Sequence, residues 1–219
     1  MYKTSELLDL SHTIAEPLFE GLDYPWEALG GIKEFILKLG PTLPEDEFDH
    51  PGEGIWIARD ATVFPSAYIG APCIIDHGAE VRHCAFIRGS AIVGKNCVVG
   101  NSVELKNVVL FDNVQTPHYN YVGDSILGYK SHMGAGSITS NVKSDKTLVV
   151  VKDGDEHIET GLKKFGAILG DHVEVGCNSV LNPGSVLGRG VSVYPTSSVR
   201  GVVHEGCIFK SENCIVKRK

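Results

Sequence analysis

The chain has 219 residues, enough to bury a core in one domain that carries small appendages. Its net charge of -7 argues against nucleic acid as the main partner. No apolar run approaches the ~20 residues of a membrane span, and the polar start MYKTSELLDL does not resemble a signal peptide, so we expect no membrane partner either.

The six cysteines have neither the spacing of a zinc site nor that of a disulfide framework. Free thiols are typical of a reducing compartment. We therefore predict a cytoplasmic protein and no metal site built on cysteine.

Residues 1–54 are predicted to be a helical segment followed by a linker. Over 25–39, apolar residues recur at three- and four-residue steps after Pro25, which suits the first turn of a helix. The linker contains Pro41, Pro44 and an acidic EDEFD run. We expect the helical part to cap an open end of the domain that follows, as elongated repeat structures require.

From residue 57 onward an apolar residue occupies every sixth position. Neither an amphipathic helix nor an alternating strand gives this period, whereas hexapeptide repeats are typical of a parallel β-helix. The pattern resembles that of the hexapeptide-repeat proteins, in which three hexads form one coil, so residues eighteen apart should be stacked about 4.8 Å apart. The ten positions are Ile57, Val63, Ile69, Ile75, Val81, Ile87, Val93, Val99, Leu105 and Phe111.

The rhythm breaks between Phe111 and Tyr121, and this interruption contains QTPHYNY. Repeat proteins often place binding features at such interruptions. The hexads then continue through Thr139, and they return from Leu169 to Val199. The stretch at about 141–166 predicts a hairpin extruded from the β-helix. We thus expect an all-β domain over 55–205, with a tail at 206–219.

Three side chains near the interruption can carry chemistry. Arg88 and Lys106 are eighteen residues apart and each follows an inward residue, so they form either a phosphate clamp or two solvated surface cations. His118 is either a structural histidine or a base able to accept a proton near pH 7. Tyr121 is either a core aromatic or a substrate contact.

The stretch from Arg88 to Asn141 contains three linked motifs without gaps: GNSVELK, HYNYVGD and GAGSITSN. They resemble the acetyltransferase half of the bifunctional glucosamine-1-phosphate acetyltransferase/N-acetylglucosamine-1-phosphate uridylyltransferase. The chain is also similar to the archaeal sugar-phosphate nucleotidylyltransferase/acetyltransferases. The resemblance implies a left-handed β-helix, acetyl-CoA as co-substrate, a phosphosugar as acceptor and a homotrimer with sites between neighbouring prisms.

The resemblance also implies roles for individual residues. His118 corresponds to the general base, Arg88 and Lys106 to phosphate ligands, and Tyr121 to a sugar contact. His132 stands where the bacterial family has a substrate-binding asparagine, a departure that bears on the identity of the sugar. The positions implied to line the acetyl-CoA site are Ala135, Asn141, Cys177 and Pro195.

The sequence leaves several functions open. The first is an N-acetyltransferase acting on an amino-sugar phosphate or a nucleotide-linked amino sugar, with O-acetylation as a variant. Because residues 1–54 contain no glycine-rich nucleotide loop, we expect no uridylyltransferase domain and no uridylyl transfer. The second is a non-catalytic protein that binds a sugar nucleotide.

The third is a zinc-dependent carbonic anhydrase, since some left-handed β-helix enzymes share zinc between subunits through three histidines. His83 and His118 lie close to two coils apart, but that family's third histidine corresponds to Gly123 here.

Overall fold

The hexads build a parallel β-helix whose coils are stacked along three faces. The computed structural model describes residues 1–218. Inward residues of neighbouring coils lie side by side: Ile87 pairs with Leu105, and both are fully buried. The predicted fold class, an all-β left-handed parallel β-helix with a short helical N-terminal segment, is confirmed.

Each face is a ladder of short parallel strands. The first face contains Ile55–Ala58, Cys73–Ile75, Ala91–Val93, the ends of Glu104–Leu110 and Tyr121–Leu127, Ala167–Leu169, Ser185–Leu187 and Val202–Val203. The second face contains Thr62–Val63, Glu80–Val81, Val98–Asn101, Gln115–His118, His132–Met133, Glu174–Val175, Ser192–Val193 and Cys207–Ser211. The third face contains Tyr68–Ile69, Phe86–Ile87, the starts of Glu104–Leu110 and Tyr121–Leu127, Ile138–Thr139, Val180–Leu181 and Ser198–Val199.

Two corners between the third and first faces are one residue shorter than the others, and they cause the break in the apolar rhythm. In the two long strands the chain turns these corners at Asn107 and Asp124, whose φ angles are 55° and 47°. Asparagine and aspartate adopt this left-handed conformation more readily than most residues. The interruption predicted between Phe111 and Tyr121 is therefore misplaced.

Two inward assignments change as a result. Leu110, not Phe111, pairs with Val93 in the first-face ladder, and Phe111 packs against Phe19 with ring centroids 5.8 Å apart. Val122, not Tyr121, pairs with Leu105 and is fully buried, while Tyr121 is only partly buried. Tyr121 is thus not a core aromatic.

The N-terminal segment lies along the first face, which differs from the predicted cap over an open end. Backbone carbonyls of Leu7 and His12 accept hydrogen bonds from Asp171 N at 3.0 Å and Asp112 N at 2.9 Å. Further along, Leu29 O accepts a hydrogen bond from Asn107 Nδ2 at 3.1 Å. The segment therefore spans several coils and shields the outward side of that face from water.

Only part of this segment is α-helical. The α-helices are Thr4–Leu7 and Ile32–Leu39. The predicted helix over 25–39 is divided at Gly31 into a 3₁₀ helix and the second α-helix. The 3₁₀ helices are Leu10–His12, Glu16–Phe19, Pro25–Gly30 and Gly40–Thr42.

Antiparallel strands occur at both ends of the β-helix and in the insertion. Phe48–Gly52 pairs with Ile55–Ala58 at the start, and Cys214–Lys217 pairs with Cys207–Ser211 at the end. The region predicted as a tail from residue 206 thus contains one more strand of the β-helix, followed by a strand that pairs with it in the antiparallel direction. Within the insertion, Val150–Asp153 pairs with Glu156–Glu159.

Replacing Gly184 with alanine is expected to lower the free energy of unfolding by about 2 kcal/mol. Gly184 has a φ of +80°, and a Cβ there would lie 2.7 Å from Val149 Cγ1 in the insertion. Gly190→Ala is the matched control, because Gly190 has a φ of +66° but nothing within 4 Å of the added atom. Urea denaturation of both variants measures the difference. Equal losses would show that the insertion is not packed tightly against the coil.

Candidate functional site

Four of the predicted site residues form one column at the corner between the second and third faces. Gly136 N donates to His118 O at 3.0 Å, Asn178 N to Ala135 O at 2.8 Å, and Thr196 N to Cys177 O at 2.8 Å. These bonds place the corner residues of successive coils directly above one another. We call this set, His118, Ala135, Cys177 and Pro195, the His118 column.

A buried asparagine fixes the backbone at the start of this column. Asn120 is 2% exposed, and its Oδ1 accepts a hydrogen bond from His118 N at 3.2 Å. Its Nδ2 donates to Gly134 O at 2.8 Å and to Ser137 O at 3.1 Å in the next coil. The imidazole of His118 is exposed on this fixed corner, which makes it accessible to a ligand. Sequence reasoning missed the role of Asn120.

A second group of predicted residues lies at the other edge of the third face. Arg88 N donates to Leu105 O at 2.8 Å, which places Arg88 beside Lys106 in the next coil, as expected from their spacing. Each cation has a carboxylate partner that the sequence reasoning did not identify. Arg88 Nη1 donates to Glu104 Oε1 at 2.9 Å, and Lys106 Nζ lies 2.9 Å and 3.0 Å from the two oxygens of Asp124.

Asp124 is the buried centre of this second group. Its side chain is 5% exposed. Besides Lys106, it accepts hydrogen bonds from Asn107 Nδ2 at 3.0 Å and from Asn141 Nδ2. Asn141 Nδ2 also lies 3.1 Å from Tyr121 Oη. One carboxylate thus organises Lys106 and Asn141, and through Asn141 it positions Tyr121.

The electrostatics of this group follow from burial and from its carboxylates. Burial raises the pKa of the Tyr121 phenol, and the nearby charges of Asp124 and Glu104 raise it further. The hydrogen bond from Arg88 to Glu104 raises the pKa of the guanidinium. Tyr121 is therefore protonated at neutral pH, and Arg88 remains a cation.

His118 and the cation group border the same face. Tyr121 begins the third-face part of its strand, and Gly123, which pairs with Lys106, ends it. Two residues of strand span roughly 7 Å. The ring of Tyr121 extends from the His118 side of the face toward the cations, because its hydroxyl lies beside Gly123 and Asn141. Asn141 belongs to the cation edge and not to the His118 column, so one chain does not bring all four predicted acetyl-CoA residues together.

His132 lies apart from His118. It pairs with Gln115 at the start of a second-face strand, whereas His118 ends the preceding strand of that face. Its Nδ1 lies 2.8 Å from Glu174 Oε2. Within one chain, His132 is therefore separated from His118 and from the group of Arg88, Lys106 and Tyr121, and its predicted contact with the acceptor stays a prediction.

His83 and His118 occupy the same corner two coils apart, with Asn101 between them. His118 pairs with Asn101, whose Nδ2 donates to His83 O at 3.1 Å. Within residues 1–218, no three His, Cys, Asp or Glu side chains are grouped to hold a metal ion. The column therefore provides two histidines and no third ligand from the described part of the same chain.

The hexad-built prism, with its stacked coils of short parallel strands, defines a hexapeptide-repeat protein. More specifically, the chain belongs to the family of the GMPPB C-terminal domain, whose model matches residues 69–204. No helix in the described part of the chain is long and apolar enough to cross a membrane.

Two curated relatives align with most of the chain. A bifunctional sugar-1-phosphate nucleotidylyltransferase/acetyltransferase of Sulfurisphaera tokodaii is 33% identical over 212 residues, covering 93% of this chain and 53% of the relative. A bifunctional protein GlmU of Methanococcus maripaludis is 30% identical over 202 residues, covering 90% and 49%. The chain thus spans about half the length of these relatives.

Among solved structures, the chain is similar to the acetyltransferase domain of PglB from Neisseria gonorrhoeae in complex with acetyl coenzyme A. The identity is 16% and the TM-score 0.33, covering 74% of this chain and 56% of that chain. This likeness is too weak to bear on function.

Proposed function

We propose that the protein transfers an acetyl group from acetyl-CoA to the amino group of an amino-sugar phosphate, or of a nucleotide-linked amino sugar. His118 is the general base of this reaction. The observation that carries the proposal is the arrangement of the third face. The exposed imidazole of His118 lies at one edge of this face, and the neighbouring cations Arg88 and Lys106 lie at the other. Its curated relatives include a protein named as a sugar-1-phosphate nucleotidylyltransferase/acetyltransferase, which supports the same reaction class.

The acceptor binds across the third face, between His118 and the cations. Its phosphate meets Arg88, whose partner Glu104 is on the surface and free to rotate away, and the remaining donor protons of Lys106. The protonated phenol of Tyr121 donates to a sugar oxygen between the two edges. The amino group is then held beside His118.

The imidazole removes a proton as the amine nitrogen attacks the thioester carbonyl. A C–N bond forms, the C–S bond breaks, and the CoA thiolate leaves and takes up a proton. General base catalysis contributes roughly 10²–10⁴-fold, and holding both substrates in place contributes a comparable or larger factor. The N–H groups of Gly134 and Gly136 donate to Val175 O and His118 O, so the backbone N–H of Ala135 between them is the proposed donor to the oxyanion.

The acetyl-CoA site is completed by a neighbouring subunit. The coenzyme lies along the His118 column, while Asn141 belongs to the opposite edge of the third face. The N-terminal segment covers the first face and leaves the second and third faces for contact with copies. We therefore propose a homotrimer in which Asn141 of one chain faces the column of the next.

The proposed reaction is tested by following free thiol release with acetyl-CoA and a panel of acceptors. The panel contains glucosamine 1-phosphate, nucleotide-linked amino sugars and the matching N-acetylated compounds. Thiol release with an amino sugar and none with its N-acetylated form supports N-acetylation, whereas release with both indicates O-acetylation. If calorimetry showed that the protein binds a phosphosugar but not acetyl-CoA, the proposal would be wrong. The non-catalytic protein that binds a sugar nucleotide would then be the better explanation.

Coenzyme binding is expected to protect Cys177 from alkylation. Cys177 is exposed and lies in the His118 column, whereas Cys214 is exposed on the C-terminal hairpin. Burial raises the pKa of Cys73 to about 12, so that thiol does not react in the folded protein. Mass spectrometry after iodoacetamide treatment should show labelling of Cys177 slowed about tenfold by CoA and Cys214 unchanged. Equal labelling of Cys177 with and without CoA would show that the coenzyme does not bind along this column.

A further inference from the structure

A hollow of about 500 Å³ lies between the insertion and the last coils. We call it the insertion hollow. Its charged side chains are Lys143, Lys152, Arg200 and Asp145, and its neutral donors include Ser140 and Asn182. Three cations and one carboxylate line this hollow, in a chain whose net charge is -7. It is therefore a local positive site on an acidic protein.

Two of the three cations are free to bind an anion. Lys143 is engaged, with Nζ 3.4 Å from Asp145 Oδ2 and hydrogen-bonded to Thr147 Oγ1. Within residues 1–218, Lys152 and Arg200 have no carboxylate within 4.0 Å. This contrasts with Arg88 and Lys106, each of which is paired with a carboxylate. Unpaired cations that share one hollow repel each other, and a bound anion relieves that repulsion.

The insertion is a fixed wall of this hollow. Val149 and Val151 are fully buried, and a Cβ on Gly201 would lie 2.6 Å from Lys152 O. The strand that carries Lys152 therefore packs directly on the backbone of the coil. Because neighbouring residues of a strand point to opposite sides, burial of Val151 directs Lys152 outward into the hollow. The two unpaired cations are thus held on two elements in contact.

We propose that the insertion hollow binds phosphoryl groups of a small molecule, with Lys152 and Arg200 as the charged ligands. Guanidinium and ammonium groups together with hydroxyl and amide donors match phosphate oxygens. The volume exceeds that of a single phosphate and suits a diphosphate with part of the molecule that carries it. Two sources share this chemistry, the diphosphate of CoA and the phosphate of the sugar acceptor. The proposal does not depend on acetyl transfer.

The test uses the full chain, calorimetry and inorganic pyrophosphate as the probe. The variant Lys152→Gln/Arg200→Gln should bind pyrophosphate at least tenfold more weakly than the parent. Both residues are exposed, so the melting temperature should not change. Lys163→Gln is the matched control, because Lys163 is an exposed cation of the same insertion that does not line the hollow. Its affinity should equal that of the parent.

Two further titrations distinguish the source of the phosphoryl group. A tenfold loss for CoA, with glucosamine 1-phosphate unaffected, assigns the hollow to the coenzyme; the reverse assigns it to the acceptor. Equal pyrophosphate affinity of the parent and the double variant, or no binding by the parent at millimolar concentration, would overturn the proposal. These experiments measure binding and not catalysis. They would therefore test the insertion hollow even if the protein did not transfer acetyl groups.

Discussion

His118→Ala is expected to lower kcat for acetyl transfer by about 10²–10⁴-fold, because the amine would lose the base that accepts its proton. The Kd for acetyl-CoA should stay within about twofold, since the backbone of the His118 column is held by Asn120 and by hydrogen bonds between coils. Thiol-release kinetics and calorimetry measure the two quantities separately.

His83→Ala is the control for this substitution. His83 lies in the same corner column, two coils from His118, and the proposed mechanism gives it no role. Its variant should retain the activity of the parent. If His118→Ala were as active as the parent, the imidazole would not be the base. If both variants lost activity together with bound zinc, the metal-dependent hydratase would become the better explanation.

Replacing Asp124 with alanine is expected to cost about 3–5 kcal/mol of unfolding free energy, the range for removing one partner of a buried ion pair. The Asp124 side chain is 5% exposed and that of Lys106 is 25% exposed. The substitution would leave the ammonium of Lys106 and the amides of Asn107 and Asn141 without their common acceptor. Urea denaturation provides the measurement.

Two comparisons separate this effect from a general loss of charge. Glu104→Gln removes a carboxylate from the exposed pair with Arg88, and it should leave stability almost unchanged. In the Asp124→Ala background, Lys106→Met should recover part of the loss, because no unpaired cation would then remain. An Asp124→Ala variant as stable as Glu104→Gln would show that Asp124 does not hold the group together.

The period of six predicted the β-helix because each coil requires one inward residue on each face. One interruption was predicted after Phe111, whereas the structure has two short corners, because an apolar residue occupies both the expected inward position, Phe111, and the actual one, Leu110. The location of the N-terminal segment also had a signal that was not used. Several first-face strands are apolar at consecutive positions, as in CII and AIV, because both sides of those strands are buried.

Prediction of the candidate site was similarly incomplete. Counting along the coils placed Arg88 beside Lys106, and the same counting carried one coil further reaches Gly123 and Asp124, whose carboxylate was overlooked. The pairing of His132 with Glu174 was not predictable in this way, because the insertion separates them in sequence. Spacing within the repeats therefore identifies neighbours along a column, but it does not relate coils on either side of an insertion.

The reversed strands at the two ends of the prism bear on how the molecule avoids aggregation. A stack of parallel coils presents an open edge that another copy can extend, which is the geometry of fibril growth. Here Phe48–Gly52 and Cys214–Lys217 run against the coil direction and occupy part of each terminal edge. An incoming coil would meet a strand of the wrong polarity on the first face at the start of the prism and on the second face at its end, which opposes self-templated elongation at those two edges.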